Sequence, residues 1–106
     1  MPKFLWQVNY TAQGAKGLLS ENATSRRTAI EGLVGGLGGS IDSWHYAFGE
    51  YDLVIIADLP NTPAAAALSL AVAASGAARI TTTPLFDQAE MDAATELSVP
   101  YRAPGA

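Results

Sequence analysis

Two segments of the chain, residues 3–11 and residues 40–48, alternate apolar and polar side chains with a period of two. This period is typical of β-strands that bury one face and expose the other. In both segments the apolar positions are mainly aromatic: Phe4, Trp6, Val8 and Tyr10 in the first, and Trp44, Tyr46 and Phe48 in the second. The sequence therefore predicts a sheet whose aromatic face packs against helices.

Two further segments are predicted strands. Residues 51–58 follow a short turn at Gly49-Glu50 and form the return strand of a hairpin, while residues 78–86 are rich in β-branched side chains. Both faces of the return strand are apolar. We assign its even-numbered residues to the outer face, because Asp52 and Asp58 are among them.

Capping signals predict three helices. They span Arg26–Leu37, residues 62–75 and residues 87–97. Ser25 and Asn61 are the expected N-caps of the first two, and a capping box, Asp87-x-x-Glu90, starts the third. Residues 12–24 are expected to form a loop with at most one helical turn.

The resulting order, β-α-β-β-α-β followed by a helix, predicts an α+β fold of the ferredoxin-like type. Its antiparallel sheet carries the helices on one face, and a C-terminal helix and tail follow. A length of 106 residues allows one domain, residues 1–106, with residues 97–106 as an extended tail. The second face of such a sheet is uncovered, so we expect a homodimer packed sheet to sheet, which is a dimeric α/β barrel, or a higher oligomer. An ordered tail is expected to dock on a neighbouring subunit.

The uncovered face is predicted to be semi-polar. Its polar members are Gln7, Asn9, Ser43, His45, Asp52, Thr81 and Thr83, and its aliphatic members are Val54 and Ile56. A surface of this kind serves either as a hydrated subunit interface or as the lining of a small-molecule cavity. The sequence leaves both alternatives open.

Composition argues against several functions. The net charge is −4 with only six Lys and Arg residues, so the basic surface typical of nucleic-acid-binding proteins is absent. The chain has no cysteine and a single histidine, so we expect no metal site and no cofactor. The longest apolar stretch, Pro63–Ala78, is shorter than the ~20 residues of a membrane span, and no signal-peptide pattern is visible. We therefore expect a cytoplasmic protein that binds neither nucleic acid nor membrane.

Few residues are suited to acid–base chemistry. His45 carries the only imidazole of the chain, a group suited to acid–base chemistry, and is either a general base or a hydrogen-bonded interface residue. Tyr10 and Tyr51 lie at predicted strand ends, and each is either a hydrogen-bonding acid or a core residue whose hydroxyl reaches water. Asp52, beside Tyr51, is a further candidate.

Arg26 and Arg27 open a predicted helix, where the helix dipole disfavours cations. A compensating negative charge is therefore expected close to them. Glu21, Glu31 or a neighbouring subunit would supply it in a structural role, and an anionic ligand would supply it in a binding role.

The hairpin segment Phe48-Gly49-Glu50-Tyr51-Asp52, together with residues 53–60, resembles the signature of the GYD domain family. The similarity continues, in order, through residues 10–14, Arg26-Arg27, residues 37–39, residues 65–76, Thr82-Thr83 and the tail 101–105. The resemblance implies a ferredoxin-like subunit of the dimeric α/β-barrel group, but it implies no particular reaction. His45 and Ala103 stand where this family has an aromatic residue and a proline, so a family-wide catalytic role for His45 is not implied.

Two functions are compatible with these observations. The first is a homo-oligomeric small-molecule-binding or structural module, with Gln7, Asn9, Arg26, Arg27, Thr81 and Thr83 as candidate ligand contacts. The second is a cofactor-free enzyme, monooxygenase- or isomerase-like, acting on a small aromatic or anionic metabolite in the barrel cavity. Its candidate catalytic residues are His45, Tyr10, Tyr51 and Asp52.

Overall fold

The computed structural model describes all 106 residues and contains four strands and four helices. In chain order these are β1 (Lys3–Tyr10), α1 (Ala12–Glu21), α2 (Ala23–Gly36), β2 (Ser40–Tyr46), β3 (Leu53–Asp58), α3 (Thr62–Ser75), β4 (Ala78–Leu85) and α4 (Gln88–Thr95). The strands form one antiparallel sheet in the spatial order β2-β3-β1-β4. The α+β class is therefore confirmed. None of the helices combines the length and apolarity that crossing a bilayer requires.

The sheet buries the aromatic face predicted from the sequence. Phe4 and Trp6 of β1 are at most 1% exposed, and Leu53, Ile55 and Ala57 of β3 are buried on the same side. The remaining core residues are Val8, Val34, Leu59, Ala65, Leu68 and Ala78. The helices contribute only three of these side chains, so the core consists mainly of residues from the sheet.

The segment 12–24 contains α1 and the start of α2, and the prediction of a loop was wrong. Thr11 caps α1, because its hydroxyl accepts the backbone N–H of Gly14 at 3.2 Å. Asn22 lies between the helices with φ 87°, and its side chain accepts the N–H of Ser25 at 2.9 Å. Asn22 is therefore the N-cap of α2, and the predicted N-cap Ser25 lies within the first turn.

The hairpin strands are shorter than predicted. β2 ends at Tyr46 and β3 begins at Leu53, so residues 47–52 form the connecting loop. Phe48 lies in this loop with φ 52° and is 66% exposed, so its assignment to the buried face was wrong. Phe86 follows the end of β4 and is also largely exposed.

The C-terminal arm, residues 86–106, extends away from the rest of the molecule. The capping box of α4 is confirmed: Asp87 accepts the N–H of Glu90, and Glu90 accepts the N–H of Asp87. The helix ends at Thr95, short of the predicted Leu97. Every arm residue is exposed. The longest dimension is 57 Å, and the radius of gyration is 17.1 Å, against about 13 Å for a compact chain of ~100 residues.

Candidate functional site

A cavity of about 510 Å³ lies between the aromatic face of the sheet and helices α1, α2 and α3. Most of its lining is hydrophobic and includes Trp6, Tyr10, Trp44, Ile55, Leu68 and Val72. The volume falls in the ~300–1,000 Å³ range of small-molecule sites in proteins. The cavity therefore lies on the opposite side of the sheet from the face that the sequence suggested for ligand binding.

Small residues of α1 help to keep this space open. Gly14 and Gly17 both line the cavity. A Cβ atom at Gly14 would lie 1.9 Å from the carbonyl oxygen of Ala77, so only glycine lets α1 approach the start of β4. A Cβ atom at Gly17 would meet nothing within 4 Å. Gly17 therefore marks unfilled space beside the helix.

Three buried polar groups lack a hydrogen-bond partner within the subunit. They are the indole N–H groups of Trp6 and Trp44 and the hydroxyl of Tyr46. Both tryptophans line the cavity. An unsatisfied buried donor costs about 1–3 kcal/mol. Since two of the three groups can only donate, the partner that they lack is a hydrogen-bond acceptor.

Tyr10 also lines the cavity, at the end of β1. Burial of its side chain raises the pKa of the Tyr10 phenol well above its usual value, and the nearby Tyr46 raises it further. A buried phenol is harder to ionise because its charged form is poorly solvated. At neutral pH Tyr10 is therefore a proton donor in hydrogen bonds and not a base.

The two adjacent arginines lie at different places. Arg26 lines the cavity, with Nη1 3.4 Å from Oε2 of Glu21, which also lines it. Arg27 pairs with Glu31 at 3.6 Å and lies 6.0 Å from the centroid of the Trp44 ring. The structure thus supplies the carboxylate partners predicted within the chain. Both ion pairs are exposed and worth at most about 1 kcal/mol, so Arg26 remains able to bind an anion at the cavity.

The other predicted ligand contacts lie on the opposite face of the sheet. Gln7 pairs in register with Val54 on one side and Thr81 on the other, and Val54 also pairs with His45. Two residues further along each strand, Thr83 of β4 pairs with Leu5 of β1. Asn9 follows on β1, opposite Arg79. The structure therefore brings these polar residues together on one surface, the open sheet face.

The candidate catalytic residues are divided between the two sides of the sheet. Tyr10 lines the cavity, whereas His45 lies on the open sheet face. The carboxylate of Asp52 is engaged by the backbone of β1, because its Oδ2 accepts the N–H of Tyr10 at 2.8 Å. Tyr51 is half-buried in the hairpin loop and does not line the cavity. No three His, Cys, Asp or Glu side chains form a group that could hold a metal ion.

Trp6 and Trp44 are the site residues that sequence reasoning assigned only to the core. Their alternation places them correctly on the buried face, but a period-two pattern is the same for a filled core and for one that contains a cavity. The glycines of α1 were the one signal of open space, and they were interpreted as loop residues.

A model of the GYD domain family matches residues 4–95. The chain belongs to the GYD domain family. No curated protein and no solved structure matches it. In this GYD domain the signature residues Gly49, Tyr51 and Asp52 lie in the hairpin loop, where Asp52 joins the loop to the last residue of β1. The family signature therefore supports one end of the cavity wall.

Proposed function

We propose that this protein is a homo-oligomeric module that binds a small molecule in the cavity between the sheet and α1–α3. The cavity itself is the observation that supports this most, since about 510 Å³ of mainly apolar space is large enough for a compact ligand. An apolar cavity left unfilled destabilises a fold, by about 24 cal/mol per Å³ in one well-studied protein. A ligand that fills the space recovers part of this stability.

The lining indicates the chemistry of the ligand. Aromatic and aliphatic side chains, Trp6 and Trp44 among them, favour a flat apolar body. Arg26 adds a guanidinium that pairs with carboxylates in two parallel hydrogen bonds. A small aromatic carboxylate combines both features.

Binding is better supported than catalysis by this geometry. The candidate acid–base residues lie on two faces of the sheet, and Asp52 is occupied with the backbone of Tyr10. A cofactor-free enzyme needs its base within hydrogen-bond reach of the substrate. The cavity lining supplies the Tyr10 phenol and two indoles, which donate hydrogen bonds and are poor bases, and its one carboxylate, Glu21, is paired with Arg26.

The oligomeric part of the proposal rests on the open sheet face. Its half-buried aliphatic side chains are Leu5, Val54, Ile56 and Leu85, and polar side chains surround them. An apolar centre with a polar rim is the usual anatomy of a subunit interface. Together with the strand order, this supports the ferredoxin-like fold and a homodimer packed sheet to sheet.

Benzoate tests the cavity by nuclear magnetic resonance. The chain has two tryptophans, so a ¹H–¹⁵N spectrum contains two indole signals, and both come from the cavity lining. We expect both signals to shift saturably with benzoate and less with benzyl alcohol, which lacks the carboxylate. Backbone signals of His45 and Thr81 should stay unchanged. Shifts confined to the open sheet face, or no saturable shift with either probe, would contradict the proposal.

A pair of variants makes this test specific. Gly17→Leu puts a side chain into the unfilled space, whereas Gly35→Leu adds the same group on α2, away from the cavity lining, where a Cβ also meets nothing within 4 Å. We expect Gly17→Leu to weaken benzoate binding at least tenfold and Gly35→Leu to leave it within twofold. Equal effects of the two variants would argue against this site.

A further inference from the structure

We propose that the C-terminal arm, residues 86–106, docks on a second copy of this chain, in the groove between α3 and the edge strand β4. The proposal rests on two unpartnered apolar surfaces, one on the arm and one beside α3. It goes beyond the proposed ligand binding: Ile80 is the one residue that lines both the groove and the cavity, and neither surface lies at the centre of the open sheet face.

The arm exposes large apolar side chains along its whole length. Phe86, Met91, Leu97, Val99 and Tyr101 are each between 49% and 76% exposed, and α4 makes no extended packing contact with any other element. An isolated helix needs about 12–15 residues to be stable in water. The eight residues of α4 are too few, so its stability requires packing against another surface.

The groove offers such a surface. Its wall on α3 includes Ala66, Leu70 and Ala73, and Pro84 of β4 lies opposite. Leu70 is 71% exposed, although it lies in the middle of a helix. Small alanine side chains let a second helix approach closely, and α3 contains no charged residue from Thr62 to Ser75. The groove therefore accepts the apolar side of the acidic arm without electrostatic repulsion.

The path of the chain favours docking of the arm on a second copy over docking in the groove of the same chain. The arm begins at Phe86, two residues after Pro84 in the groove wall, so a return into the same groove requires an immediate reversal. Instead every residue of the arm is exposed, and α4 makes no extended contact with the other elements. Stable interfaces use about 20–30 residues on each side, and the 21 residues of the arm match this number. Two copies can exchange their arms reciprocally.

The exposed edge of β4 is a further reason to expect that the α3–β4 groove is covered. It is the edge strand beside β1, and one row of its backbone groups has no strand partner. Exposed strand edges promote uncontrolled pairing, so proteins commonly cover them with a helix or loop. An arm from a second copy that lies along the α3–β4 groove covers this edge.

Cysteine cross-linking tests the proposal directly, because the chain has no native cysteine. One copy carries Leu70→Cys in the groove, and a second copy carries Met91→Cys or Leu97→Cys in the arm. The two are mixed and oxidised at micromolar concentration. The control mixes Leu70→Cys with Leu19→Cys, because Leu19 of α1 is 87% exposed and lies outside both surfaces. We expect groove–arm dimers to form at least tenfold faster than control dimers.

The double variant Leu70→Cys with Leu97→Cys in one chain distinguishes the remaining outcomes. A disulfide within single chains, independent of protein concentration, would show that the arm folds back on its own groove and would overturn the proposal. Cross-linking of both arm positions no faster than the control would overturn it as well. Since benzoate binding is read from the tryptophan signals, these outcomes do not depend on whether the cavity binds a ligand.

Discussion

At the scale of single residues, the GYD signature has a structural explanation. Asp52 accepts the backbone N–H of Tyr10 at 2.8 Å, and its own N–H donates to the carbonyl of Val8 at 2.9 Å. These two bonds fasten the hairpin loop to the end of β1, where Tyr10 enters the cavity lining. The carboxylate therefore acts through the backbone and positions a wall of the site.

Asp52→Ala removes the acceptor of the Tyr10 N–H, which is part-buried. We expect this variant to lose about 1–3 kcal/mol of unfolding free energy, the usual cost of leaving such a group unsatisfied. Asp52→Asn keeps an oxygen in place and should recover most of the loss. Urea unfolding of the two variants measures both values. Equal losses for Ala and Asn would mean that charge, and not hydrogen bonding, is what Asp52 contributes.

Because of Tyr10, we expect the unfolding free energy to fall at alkaline pH. Its pKa is raised in the folded state, so the unfolded chain loses this proton first as the pH rises, near the ordinary value of about 10. The folded state is therefore favoured fully below that pH and progressively less above it. Tyr10→Phe should reduce the loss of unfolding free energy between about pH 8 and pH 11. Urea unfolding at several pH values measures this, and wild-type and Tyr10→Phe curves that stay parallel over the range would contradict it.

At the scale of elements, the strands were predictable and the first helix was not. The period-two pattern identified β1 and β2 because burial of one face requires alternation: Trp6 is buried and Trp44 is half-buried against the core, as expected. For α1 the local signals were unfavourable, since Gly14 and Gly17 lower helix propensity. The helix forms because Thr11 caps it and because Gly14 lets it pack against Ala77, and neither contact is visible in a local pattern.

The same two glycines give a test in which one substitution has opposite effects within one helix. Gly17→Ala places its methyl group in open space, so the gain in helix propensity should stabilise the fold by about 0.5–1 kcal/mol. Gly14→Ala forces a methyl group onto the carbonyl of Ala77 and should cost about 1–3 kcal/mol. Thermal and urea unfolding measure both changes. Changes of the same sign would mean that α1 does not pack against the start of β4.

At the scale of the whole molecule, the sheet separates two surfaces with different properties. The cavity lies on the helix side, and the open sheet face lies on the other. The sequence predicted the composition of that face from strand parity, because cross-strand neighbours follow from the register. It could not predict the cavity, whose existence depends on how far α1 and α2 stand from the sheet.

This separation predicts that association and ligand binding can be abolished independently. Ile56→Asp places a charge at the centre of the open sheet face, beside Leu5 and Ser43. Burying an unpaired charge in an interface costs about 3–5 kcal/mol, so self-association should weaken more than tenfold. Benzoate binding, on the other side of the sheet, should stay within twofold of the wild type. Gly17→Leu should show the reverse, with benzoate binding lost and self-association kept.

Sedimentation equilibrium measures self-association, and the indole signals measure benzoate binding. Thr28→Asp, on the exposed side of α2, is the charge control. A wild-type chain that stays at its monomer mass of 11.0 kDa at all concentrations would contradict the dimer while leaving the cavity to be judged by benzoate alone.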